Sequence, residues 1–249
     1  MCGIYGIIHL DGSPADPSLM QSMGDVTRHR GPDDHGWHHD GNCVIGMRRL
    51  SIIDLAGGHQ PLTNEDNSLW LVCNGEIYNF RELREDLTNL GHRFRTGSDC
   101  EVILHAYEAW GEDFVSRLNG MYNFALWDAN KRRLLLGRDR IGVKPLYWRQ
   151  DGQRLAFATE AKALLALPGV TAEVDRAALA SYLNLGYVSA PRSMFKGISK
   201  LPVASLMSIE SGKVSSRCYW SLPETVDTGV SEGEWIERIA NGIDRAVRM

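Results

Sequence analysis

Along its 249 residues the chain alternates short apolar runs with polar breaks, and no segment of roughly 20 to 50 residues repeats. Residues 2–10 alternate loosely and are rich in Ile, which predicts a strand at the N-terminus. Asp16 followed by Pro17 predicts a helix start, with Leu19, Met20, Met23 and Val26 on one face and a polar loop at 28–36 ending it. Strands are expected at 44–47 and 69–73, with a turn at Gly57 and Gly58 between them. Asn79 with Glu82 reads as a capping box for a helix striped by Leu83, Leu87 and Leu90 and closed by Gly91. Ser98 or Asp99 opens another helix, carrying Val102, Ile103, Ala106, Tyr107 and Trp110 before Gly111. Further strands are expected at 121–127, 134–138, 155–159 and 206–209, and short helices near 160–167 and 175–185. Strands in blocks with helices between the blocks favour stacked antiparallel sheets covered by helices, an α+β architecture.

The C-terminal pattern differs. After a loose stretch at 223–229, Ser231 and Glu234 read as a capping box for a helix with Trp235, Ile236, Ile239, Ile243 and Val247 on one face. No Gly, Asn or Pro stop signal accompanies its end at Met249. Such a stripe must pack on something. Either the helix folds back on the domain or it is the first helix of a further one, and the second expectation is preferred.

Composition narrows the class. With 43% hydrophobic and 23% charged residues the chain can bury a core, and 27 basic against 31 acidic residues give a net charge of −4, so no nucleic-acid partner is expected. No apolar run approaches the ~20 residues of a membrane helix, and the start MCGIYGIIHL lacks a secretory pattern. The five cysteines at 2, 43, 73, 100 and 218 are odd in number and contain no CxxC pair, which argues against a disulfide framework. A cytoplasmic protein follows as the expectation, with Cys43, Cys73, Cys100 and Cys218 as small buried hydrophobes.

Several chemical patterns fall short. The run GRDRIGVK at 137–144 has the glycine spacing of a phosphate loop, but Val143 stands where the required Lys must be. His29, His35, His38 and His39 match no metal-ligand spacing and read as a solvated polar loop, so no metal site is expected. Cys2 stands apart by position. Removal of the initiator Met would leave a thiol and a free α-amine on one residue, and the amine, with a pKa of about 7.7 to 8.0, can take the thiol proton. Alone, Cys2 could simply be a second residue, Arg49, Glu76 and Asp99 could be surface ion-pair members, and Asn74-Gly75 could be a hairpin turn.

The ordered set says more. MCGIYG (1–6), RHRGPDD (28–34), RLSIID (49–54), GHQPL (58–62), NGEIYNF (74–80), SDCEV (98–102), LNGMYNFALWD (118–128) and GRDRIGVKPLY (137–147) together resemble class II glutamine amidotransferases, and most of all the glutaminase domain of glutamine-hydrolysing asparagine synthetases. The resemblance runs from Met1 to about Trp220. It implies an N-terminal-nucleophile hydrolase fold, a four-layer αββα sandwich of two stacked antiparallel sheets, with domain limits of 1–220 and a linker plus first helix of a truncated synthetase domain at 221–249.

Carried over by position, Cys2 resembles the nucleophile and Asn74 and Gly75 the oxyanion hole. Arg49 matches the partner of the glutamine α-carboxylate, Glu76 and Asp99 the acceptors of its α-ammonium, and Leu50, Ile52, Ile53 and Ser98 the rest of the substrate site. The family usually has Thr where this chain has Cys100, which is expected to be a tolerated packing variant. The resemblance further implies that ATP and Mg²⁺ act in a synthetase domain absent from this chain, since no Ser-Gly-Gly-x-Asp-Ser loop is present. Glutamine and that domain are the implied partners, and a homodimer stays open. The competing functions are a non-catalytic binding or regulatory module on the same fold and a peptidase that cleaves larger amides.

Overall fold

The structure is a computed structural model that describes residues 1–55, 57–225 and 228–249. Val226 and Asp227, inside the loose stretch expected at 223–229, lie outside the described residues. The first half of the chain supplies strands β1 (Gly3–His9), β2 (Asp34–Asp40), β3 (Cys43–Arg49), β4 (Leu62–Thr63) and β5 (Leu69–Ile77). The second half adds β6 (Gly120–Asp128), β7 (Arg133–Arg138), β8 (Tyr147–Asp151), β9 (Arg154–Ala158), β10 (Ser199–Lys200), β11 (Ser205–Glu210) and β12 (Lys213–Cys218). The helices are α1 (Leu19–Val26), α2 (Phe80–Asn89), α3 (Val102–Trp110), α4 (Ala161–Leu165), α5 (Arg176–Leu185) and α6 (Glu232–Arg248).

Two six-stranded sheets form, in the orders β10-β8-β9-β1-β3-β2 and β12-β11-β7-β6-β5-β4, with every named pair antiparallel. Between them lies a core that joins Ile4, Ile45 and Phe157 of the first sheet to Val72, Trp127 and Leu136 of the second. The outer face of the first sheet presents Tyr5, Ile7 and Val44 to Met20 and Met23 of α1 and to Leu164 of α4. The outer face of the second presents Leu71, Cys73 and Phe124 to Leu83 and Leu87 of α2 and to Ile103 and Tyr107 of α3. The result is the αββα sandwich. Because both sheet faces are covered, central strands such as β1 and β6 read as nearly continuous apolar runs rather than clean alternations. Hydrogen bonds cross the layers from Trp127 Nε1 to Asp40 Oδ2 at 2.9 Å and from Arg132 Nη2 to Asn42 Oδ1.

Some local expectations change. Residues 34–36, read as loop, begin β2, whose side chains alternate half-buried and exposed as suits a polar edge strand. Its His38 stacks on Trp70, with ring centroids 3.7 Å apart. Asn79 does not cap α2 with its side chain. Its amide is taken by a tertiary contact, accepting from Asn119 N–H and donating to the Arg117 carbonyl. Val26 and Leu90, expected on buried stripes, are exposed because each sits at the end of its helix. Cys218 is exposed too, at the end of the outermost strand β12. The capping box at Ser231 and Glu234 forms as read, and α6 buries none of its side chains. Among the described residues no helix is long and apolar enough to cross a membrane.

Candidate active site

β1 begins at Gly3, so Cys2 stands at the strand's lip, opposite the end of β3, where Gly3 pairs with Arg48. The next residues of that chain reversal hold its sulfur. The Leu50 N–H donates to Cys2 Sγ at 3.3 Å, and the thiol lies 3.6 Å from the Leu50 carbonyl. Arg30 Nε donates to the Cys2 carbonyl at 2.9 Å while its Nη1 pairs with Glu160 at 2.8 Å, which fixes the backbone on the other side. Arg30 lies inside the segment RHRGPDD, but nothing in its spacing singled it out. Burial pushes the Cys2 thiol above the ordinary range, opposed by the Leu50 N–H and by the nearby positive charges of the Met1 amine and Arg49.

All ten residues proposed from the sequence line one pocket: Cys2, Arg49, Leu50, Ile52, Ile53, Asn74, Gly75, Glu76, Ser98 and Asp99. They come from four separate places in the chain. Arg49 ends β3 and is almost fully buried, its Nη2 donating to the carbonyls of Ile53 at 3.0 Å and Asp54 at 2.8 Å. Its Nη1 and Nε make no hydrogen bond among the described residues, which leaves their N–H groups available for a carboxylate. Gly58 makes room for it, since a Cβ there would come within 2.3 Å of Arg49 Nη2. Ile52 is exposed at the rim.

Asn74 and Gly75 are not a turn. They lie inside β5, paired with Asn123 and Tyr122 of β6. Gly75 cannot carry a side chain, because a Cβ would stand 2.2 Å from the Met121 carbonyl oxygen. Asn74 is 1% exposed, and its Nδ2 is buried with no hydrogen-bond partner. A buried donor left unpaired costs about 1–3 kcal/mol, so its natural complement is an acceptor that arrives in the pocket.

Ser98 and Asp99 enter from the opposite wall, on a 3₁₀ turn leading into α3. The Ser98 hydroxyl accepts from Cys100 N–H, and Asp99 Oδ2 accepts from Ile77 N–H at 2.7 Å, bonding this wall to the end of β5. Burial raises the Asp99 carboxyl despite that bond, and burial followed by the neighbouring Asp99 charge raises Glu76, which Lys144 partly offsets. Two carboxylates short of cationic partners make a place suited to an ammonium group.

Further lining residues carried no role in the sequence reading: Gln60, Cys73, Cys100, Met121 and Lys144. Gln60 Oε1 accepts from Cys73 N–H at 2.7 Å, and the quoted segment GHQPL was the available signal for it. Cys100 is buried against Cys73, so the thiol that replaces the usual Thr is part of the pocket floor. The run at 137–144 is a structural corner. The Asp139 carboxylate accepts from the N–H groups of Ile141, Val143 and Lys144, which a phosphate would otherwise need.

Residues 1–220 match the family described as glutamine amidotransferase domain. Asparagine synthetase [glutamine-hydrolyzing] 3 of Bacillus subtilis (strain 168) is 36% identical over 226 residues, 89% of this chain and 37% of the relative. Asparagine synthetase [glutamine-hydrolyzing] 3 of Arabidopsis thaliana is 47% identical over 167 residues, 66% of this chain and 28% of the relative. The chain thus spans about a third of the length of these curated relatives. Among solved structures, glutamine phosphoribosylpyrophosphate amidotransferase from B. subtilis, complexed with ADP and GMP, superposes with a TM-score of 0.63 at 19% identity, over 88% of this chain and 49% of that one. At that identity the likeness concerns the fold.

Proposed function

The chain belongs to the glutamine amidotransferase domain family, and on that premise we propose that its pocket hydrolyses the side-chain amide of glutamine with Cys2 as nucleophile. Removal of Met1 frees the Cys2 amine, which accepts the thiol proton. Sγ then attacks the amide carbon and the carbonyl electrons move to oxygen. Asn74 Nδ2 and the Gly75 N–H receive that oxyanion, where one preorganised donor is worth about 3–4 kcal/mol in the transition state. Collapse breaks the C–N bond, the amine's acquired proton goes to the leaving nitrogen, and ammonia departs. Water cleaves the remaining γ-glutamyl thioester to glutamate and restores the thiol. Arg49 holds the α-carboxylate, and Glu76 and Asp99 hold the α-ammonium.

The observation that carries this reading is the buried, unpartnered Asn74 amide in the same pocket as the Cys2 thiol. Pairing both charges of a free amino acid also disfavours peptide substrates, whose α-groups are blocked. The test is glutamate release from glutamine by the purified chain and by Cys2→Ala, with intact mass measured alongside. Turnover that depends on Cys2, in a chain lacking Met1, supports the reading. Retained Met1 with no turnover would leave a non-catalytic module on this fold.

The wider reaction follows from the relatives. Residues 1–220 would be the ammonia-producing domain, and 221–249 a linker and the first helix of a synthetase region that uses ATP and Mg²⁺ to amidate a carboxylate, with aspartate as the default acceptor. Two facts support this: the relatives are named asparagine synthetases and extend well past the matched part, and the apolar stripe of α6 is unburied. The run at 137–144 does not fit a phosphate, since its N–H groups are already taken by Asp139. Five unpaired cysteines and a thiol nucleophile suit a reducing compartment, and we place the reaction in the cytoplasm.

A further inference from the structure

Four side chains that line no part of the pocket converge at the outer face of α3. His105 and Glu108 stand three residues apart on that helix, His92 follows α2, and Glu65 follows β4. We propose that His92, His105 and Glu108, whose donor atoms all lie within 4.8 Å of one another, form a structural site for a divalent transition metal of the zinc class, with Glu65 at its edge.

The spacing of the donor atoms is the first argument. His105 Nδ1 lies 2.9 Å from Glu108 Oε2, His92 Nδ1 lies 3.4 Å from the same oxygen, and Glu65 Oε2 lies 3.9 Å from His105 Nδ1. Ligands about 2.0–2.1 Å from a tetrahedral zinc stand about 3.3–3.4 Å apart, and the two contacts of Glu108 Oε2 bracket that edge. Imidazole nitrogens with carboxylate oxygens are a donor set that zinc accepts.

The second argument is independent and comes from what stands behind each donor. Metal-bound histidines usually direct the other ring nitrogen at a carboxylate, and bound carboxylates are themselves held. His105 is fully buried, and its Nε2 is a polar atom without a hydrogen-bond partner that faces Glu101 Oε1 at 3.7 Å. Glu108 Oε1 accepts from Asn64 Nδ2 at 2.8 Å, and Glu65 Oε1 accepts from Arg93 N–H at 3.0 Å. The carboxylates of Glu108 and Glu65 are thus held from behind, and His105 presents its other ring nitrogen to a carboxylate.

Charge gives the third. The carboxylates of Glu65, Glu101 and Glu108 surround one buried imidazole, with Arg84 Nη2 at 4.0 Å from Glu101. A proton on His105 supplies a single compensating charge, whereas a divalent ion supplies two. The partly exposed side chains of His92, Glu65 and Glu108 leave a route from solvent. Glu101 also accepts from the N–H groups of Arg95 and Thr96, at the start of the segment that delivers Ser98 and Asp99, so the ion would brace that segment and take no part in chemistry.

The test is titration of the EDTA-treated, dialysed 249-residue chain with Zn²⁺ against a competing chromophoric chelator. Co²⁺ is substituted in parallel to read its visible absorption. Expected are one ion per chain, tetrahedral Co²⁺ bands, and at least a tenfold loss of affinity in His92→Gln and in Glu108→Gln, both at partly exposed positions where the fold tolerates change. Cys2→Ala should leave binding intact, which separates this site from the pocket thiols. Absence of stoichiometric binding, affinity unchanged in His92→Gln and Glu108→Gln, or binding lost in Cys2→Ala would overturn the proposal.

Discussion

Asp54 accepts a hydrogen bond from the backbone N–H of Gly97 at 2.7 Å, and this contact ties together the two loops that wall the pocket. Its other oxygen accepts from Gly57 N–H at 2.9 Å, so one carboxylate sets both the turn after Ile53 and the approach of Ser98 and Asp99. The Asp54 backbone lies at φ +50°, a conformation Asp and Asn tolerate better than most side chains.

Asp54→Ala removes both bonds while leaving every group that would touch glutamine. Hydrogen bonds to charged groups are worth about 1.5–3 kcal/mol, and partial exposure puts these at the low end, so KM for glutamine should rise about tenfold. The turnover number should change by less than about threefold. Asp54→Asn, which keeps an acceptor and the backbone preference, should fall between. Steady-state glutaminase kinetics decide, and a loss confined to the turnover number would show that Asp54 does not act through binding.

Asn74→Ala should behave in the opposite way. If the unpartnered amide meets the oxyanion and not the ground-state substrate, turnover falls about 10²- to 10³-fold with KM nearly constant. Circular dichroism of the variant checks that β5 and β6 remain paired.

Gly75→Ala should fail as a fold before it fails as an enzyme. The added methyl would stand 2.2 Å from the Met121 carbonyl and 2.6 Å from Tyr122 Cα, both backbone atoms of the paired strand. Overpacking of this kind typically costs about 1–3 kcal/mol, so the thermal midpoint should drop by several degrees. An unchanged midpoint would mean that β5 and β6 separate here without cost.

His105 and Glu101 should shape stability against pH, measured by denaturant unfolding in EDTA. Burial disfavours the charged imidazole, yet the facing carboxylates of Glu101 and Glu108 prevail and raise His105 from 6.5 to about 9. The stability this contributes, on the order of 3 kcal/mol, is complete below about pH 6.5 and is lost as pH rises through about 9. Burial likewise opposes the Glu101 charge, but His105 and the N–H groups of Arg95 and Thr96 lower it from 4.5 to about 2, so its contribution fades as pH falls below about 4.5. His105→Gln should abolish the alkaline loss. Retention of that loss in the variant would assign it to another group.

Much of the architecture was readable along the chain where local chemistry decides it. The capping box at Ser231 and Glu234 and the glycine that closes α3 at φ +57° formed where the residues indicated, and α5 runs within the expected 175–185. These are contacts within one turn of backbone. The edge strand β2 was not legible, because an exposed polar strand lacks the apolar alternation that marks a buried one. Asn79 misled for a related reason: its side chain found partners at 117 and 119, some forty residues away.

The candidate site divides along the same line. The second-position cysteine and the ordered segments around Arg49, Asn74 and Asp99 were legible as residue types, and they were enough to indicate the family. Sequence spacing held nothing of their meeting, since positions 2, 49, 74 and 99 are brought to one pocket by the pairing of β1 with β3, the burial of β5 between β4 and β6, and the Asp99 to Ile77 bond. The same holds for His92 and His105, which look unrelated until α2 and α3 pack on one sheet face. Residue identity is written locally, whereas burial, unpaired donors and shifted acidities depend on neighbours that only the folded sheets supply.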